Sequence, residues 1–129
     1  MNVDYRPKSN LNMNVVVTTP EPLRGLLKKL ILIPDTYNLV YQSPDHVGFV
    51  NCNINLTNDS GIDAGFRFYI SSKNIPDRVD LYEPTGMVIK ANCVYIRDNI
   101  KLSTGEKIFI YTTSPDIIVR LEGVENIII

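Results

Sequence analysis

The chain has 129 residues, 44% of them hydrophobic, which suits one domain able to bury roughly two-thirds of the surface its unfolded form would expose. Thirteen Lys and Arg against fourteen Asp and Glu leave a net charge of -1, so no global field draws the chain toward nucleic acid or an anionic membrane. No run approaches the ~20 apolar residues of a membrane-spanning helix, and Met1 to Arg6 lacks the apolar core of a signal peptide, so the expectation is a soluble cytoplasmic product with reduced thiols.

Residues 1–12 show no apolar periodicity and read as an extended arm that offers Tyr5, Arg6 and Leu11 to a neighbour. A single domain, residues 13–129, follows. Met13 to Thr18 alternates as a first strand, ended by Pro20 and Pro22. Leu23, Leu26, Leu27, Leu30 and Ile31 then fall at the spacing of one helical face, with Thr19 as a cap and Pro20 in the first turn, which predicts a short helix. Gly25 inside it costs up to ~1 kcal/mol relative to Ala, and the rival is a strand from Leu30 to Ile33 stopped by Pro34-Asp35. Arg24, Lys28 and Lys29 form a basic cluster whose plain reading is a solvated face rather than a phosphate site.

From Asn38 onward the period is two. Leu39-Val40-Tyr41 reads as a short strand, Ser43-Pro44-Asp45-His46 as a turn, and Val47 to Thr57 as a strand with Val50, Cys52, Ile54 and Leu56 inward and Asn51, Asn53 and Asn55 outward. After the loop Asn58 to Asp63, Phe66, Phe68 and Ile70 point inward while Arg67 and Tyr69 point out. Strands are expected again around Val79 and Leu81, over Met87 to Ile89, and at Val94 and Ile96, with Arg97-Asp98-Asn99 as a separator. Ile100 to Val124 then gives three strands and two turns, and the strand Lys107 to Tyr111 is apolar on both faces, which calls for cover from a neighbouring subunit or from the segment before Asn38. Short strands punctuated by turns imply an all-β chain: an antiparallel β-sandwich or jelly roll, with an extended N-terminal arm and, if the Leu-rich segment takes it, one short helix. The end, Ile127-Ile128-Ile129, has no polar cover and is expected to extend a sheet or meet another subunit.

Residues with catalytic chemistry are sparse. His46, the single histidine, sits in a turn, and one histidine does not make the metal site that some jelly rolls carry. Cys52 reads as a core residue, and Cys93 has no basic neighbour to activate it. Asn58 to Asp63 gathers oxygen ligands around Gly61 without the full calcium-loop spacing and is better explained as a turn. No cofactor and no enzymatic activity are expected.

Leu39-Val40-Tyr41, a Pro turn, and Gly48 to Asn58 (GFVNCNINLTN) resemble the LYTVP…VVSTIVVCN opening of small structural proteins of tailed bacteriophages. Phe66 to Ile70, Val79 to Tyr82 and Ala91 to Ile96 follow in the same order. Leu102 to Tyr111 is similar to their L-x-x-G-D-x-I-x-V-Y segment, and Asp116 to Glu125 to their N-V-S-F-x-x-F-G-x-E end, with Asn58, Gly105, Tyr111 and Gly123 as marker residues. The resemblance covers about residues 38–125 and implies a β-sandwich subunit of a virion, in the tail, baseplate, neck or capsid decoration. It implies no catalytic residue, and it makes the partners other virion proteins and further copies of the chain. The assembly candidates are then Tyr5, Arg6 and Leu11 of the arm and Ile127, Ile128 and Ile129 of the tail. A carbohydrate- or receptor-binding module is the alternative, with Tyr69, Tyr82, Tyr95 and Tyr111 as stacking candidates and cross-strand packing as their simpler role.

Overall fold

The computed structural model describes residues 23–127. The arm with Tyr5, Arg6 and Leu11, the strand expected over Met13 to Thr18, the capping residues Thr19 and Pro20, and Ile128 and Ile129 lie outside the described residues.

Eight strands run through the described chain: β1 Leu23–Ile31, β2 Asn38–Gln42, β3 Val47–Asn58, β4 Ala64–Ser71, β5 Met87–Ile89, β6 Val94–Ser103, β7 Lys107–Thr112 and β8 Ile117–Ile127. They form two antiparallel sheets, ordered β1-β8-β3-β6 and β2-β7-β4-β5. The pairs β1–β8, β2–β7, β3–β6 and β4–β5 nest inside one another, so the chain is one long ribbon that turns back at β4–β5 and rolls into two layers. Ladders between β3 and β8 and between β4 and β7 seal the roll. Nested antiparallel pairing across two sheets is the wiring of a jelly roll.

Alternation decides which side chains enter the space between the layers. Val50, Cys52, Ile54 and Leu56 of β3 meet Ile117, Val119 and Leu121 of β8 within one layer, and Phe66, Phe68, Ile108 and Ile110 come from the other, all buried. Two buried asparagines replace backbone partners where the chain leaves a sheet. Asn38 donates from Nδ2 to the Ile33 and Ile110 carbonyls and accepts from the Ile33 N–H. Asn58 donates to the Ile62 and Ile89 carbonyls while its Oδ1 accepts from Ser60. The loop that gathers oxygen ligands is therefore built around a buried amide.

Three expectations are corrected. The Leu-rich segment is the strand β1, not a short helix. Gly25 takes φ +105°, outside the helical region, and the register against β8 slips between Leu26 and Lys28. The slip lets Leu27 and Leu30, three apart, both pack on the core, a spacing an unbroken strand would send to opposite faces and a helix would put on one. The segment around Val79 is a 3-10 turn, Arg78–Asp80, held by an Asp77–Asp80 capping box, and Val79 is 84% exposed; only Leu81 bridges to Tyr69. Arg97-Asp98-Asn99 is no separator. It is a bulge within the single strand β6, with Asn99 at φ +59° and its N–H bonded to Asn53 Oδ1, and it reverses the alternation so that Val94 and Ile96 face solvent while Ile100 and Leu102 enter the core.

Candidate functional site

The outer face of the first sheet is ordered in rows by register. One row runs Ile31, Ile118, Thr57, Val94 across all four strands, and its aliphatic members are 65%, 37% and 45% exposed. The next runs Lys29, Arg120, Asn55, Ile96, the last of these 55% exposed. The third pairs Leu26 with Glu122 and Asn53, and Arg120 Nε lies 2.6 Å from Glu122 Oε2. An apolar band thus crosses one end of the face and a charged, amide-rich surface covers the rest. Lys28 and Lys29 of the basic cluster sit on an edge strand, where lysines discourage unregulated strand pairing.

Polar contacts join the two layers. The Tyr41 hydroxyl of β2 donates to the Glu125 carboxylate of β8, a buried acid on the inward side of its strand. Burial, and then the bond to Glu125, raises the Tyr41 pKa above the ordinary tyrosine value. At the β5–β6 side, Glu83 accepts from the Tyr95 hydroxyl and, at 2.9 Å, from Arg97 Nη1, while the Arg97 guanidinium lies 4.9 Å from the Tyr82 ring centroid. Tyr95 and Tyr82 pack against Phe66 and Phe68, with centroids 4.8 and 5.1 Å apart. Burial and the Glu83 contact likewise raise the Tyr95 pKa. Glu83 and its partners clasp the two sheets.

A cleft of about 230 Å³ opens on the second sheet at the corner of β4, β5 and the end of β7. Gly65 faces Val88 and Arg67 faces Tyr111 across their ladders. Tyr111 is braced by Tyr37, 5.3 Å away, which also packs edge-on against Tyr69 at 5.6 Å. Part of the expected cover over the apolar outer side of β7 thus comes from the segment before Asn38. The expectation that Tyr69 points to solvent is corrected, since it is 4% exposed.

Of the stacking candidates, Tyr82 and Tyr95 belong to the inter-sheet clasp and Tyr111 lines the cleft. Ile127 ends β8 opposite Val47 and is partly exposed. His46 is an exposed turn residue, Cys93 is exposed, and Cys52 is buried, which pushes its thiol up to about 12 and keeps it protonated at neutral pH. Among the described residues no three His, Cys, Asp or Glu side chains converge as a metal site. Residue types alone did not single out Gly65 and Arg67 as cleft residues; the signal available was a glycine interrupting an otherwise alternating strand. No protein-family model, curated protein or solved structure matches the chain.

Proposed function

We propose that the chain is a non-enzymatic structural subunit of a tailed-bacteriophage virion, made in the host cytoplasm and built into the particle by contacts with further copies of itself and with other virion proteins. The observation that carries this reading is the row Ile31, Ile118, Thr57, Val94, with Ile96 beside it. Aliphatic side chains held in register on a sheet face gain only modest cross-strand packing in a lone domain, and become more stabilising once a second surface removes them from water. Lys29, Arg120 and Glu122 beside the row supply the polar rim such an interface needs. Symmetric repetition makes even a small contact effective, because each copy is held by several neighbours. The resemblance of residues 38–125 to small phage structural proteins supports the same reading.

The test is particle composition. Particles purified from a host carrying the gene contain the chain at a fixed copy number, and a folded Ile31→Asp/Ile118→Asp variant is depleted from them. Particles that lack the wild-type chain contradict the reading.

A further inference from the structure

Gly65 sits on the outward side of β4 opposite Val88, yet nothing about its backbone or its packing calls for glycine. Its φ is not in the left-handed region, and a Cβ built there meets only the Met87 carbonyl oxygen, at 3.9 Å. What the missing side chain does is leave a floor for the cleft. The Thr112 hydroxyl donates to the Gly65 carbonyl at 2.8 Å and fixes that floor from below. Around it stand the Tyr111 ring, the apolar Val88, the Met87 carbonyl, the exposed Thr113, and Arg67 with its guanidinium carbon 5.9 Å from the Tyr111 centroid. Arg67 forms no ion pair with another described residue.

From this arrangement we infer that the cleft is a binding site for a carboxylate-bearing sugar residue of a longer saccharide. Each wall has a matching group on such a ligand. The C–H face of a pyranose packs on Tyr111, a platform already braced by Tyr37. Arg67 offers a planar fork for the carboxylate, and its contact with the ring orients it without consuming its outer N–H groups. Thr113 is available to the sugar hydroxyls. At about 230 Å³ the cleft is smaller than the ~300–1,000 Å³ of most small-molecule pockets, so it takes one ring and leaves the rest of the chain outside. The inference stands independently of which assembly the protein joins.

The experiment is calorimetric titration of the full chain with a glucuronate-containing disaccharide, with the matching glucose disaccharide, and with a short peptide bearing a free C-terminal carboxylate. The acidic disaccharide binds, and the neutral one binds about tenfold more weakly for want of the charged hydrogen bonds. Arg67→Gln removes the preference for the acid, and Gly65→Leu, which fills the floor, abolishes binding of both while circular dichroism and melting remain those of the wild type. Absence of binding by the acidic disaccharide at millimolar concentration overturns the inference. So does equal binding by both variants, or tighter Arg67-dependent binding of the peptide, which would make the site a reader of protein carboxylates.

Discussion

Gly123 on β8 and Cys52 on β3 face each other with no room for a side chain between them: a Cβ on Gly123 would lie 2.7 Å from the Cys52 Cα and closer still to the Asn51 carbonyl oxygen. The obstacle is backbone, so it cannot rotate away. Gly123→Ala must push apart the central ladder of the first sheet and is expected to cost about 3 kcal/mol, the upper end of ordinary overpacking. Urea unfolding measures it; a midpoint unchanged from the wild type would show that β8 shifts freely against β3.

Asn58→Ala removes the donor for three carbonyls, Ile62 at 2.7 Å, Ile89 at 3.0 Å and Lys90 at 3.3 Å, and the acceptor for the Ser60 N–H. Leaving these groups unpaired costs about 2–3 kcal/mol and loosens the loop to Asp63. Hydrogen exchange should accelerate at Ser60 while the β3–β8 ladder keeps its protection. Uniform acceleration would instead indicate global unfolding alone.

Alkaline pH attacks one buried and two half-buried groups together. Burial raises the Cys52 thiol from its ordinary 9.0 to about 12, and burial with a carboxylate neighbour raises Tyr41 and Tyr95 above their ordinary 10.0. In each case the folded state holds the proton more tightly than the unfolded state. The associated stability is therefore complete below about pH 9 and is lost as pH rises through the folded-state values. Denaturant midpoints measured from pH 8 to 11 should be flat and then fall, and Cys52→Ala should lessen the slope above pH 9. A rise in stability across that range would contradict these assignments.

Much of the fold was legible because β3 from Val50 onward, β4, β7 and β8 keep a period of two, and their inward residues Ile54, Phe68, Ile110 and Leu121 are fully buried. Two of the misreadings share a cause. Bulges in β1 and β6 shift the alternation by one residue, so Leu27 and Leu30 imitate a helical stripe, and Val94 and Ile96 imitate a core face. Pairing partners are also silent in the sequence: β6, β7 and β8 follow one another along the chain yet alternate between the two sheets. The Glu83–Arg97 contact and the Tyr41–Glu125 bridge join layers that only the rolled ribbon brings together. Two marker residues of the phage resemblance, Asn58 and Gly123, have structural reasons for their identity, the first as a buried amide and the second as a point of backbone contact. Their identities follow from this chain's own packing, whereas the proposed assembly surface lies elsewhere, on Ile31, Ile118 and Val94.

That surface is the part of the account most open to a direct test. Sedimentation velocity over a range of concentrations compares the full-length wild type with Ile31→Asp/Ile118→Asp, both checked by circular dichroism. The expected result is a concentration-dependent oligomer for the wild type and a folded monomer for the variant. A wild type that remains monomeric throughout, or a variant that assembles equally well, would contradict it.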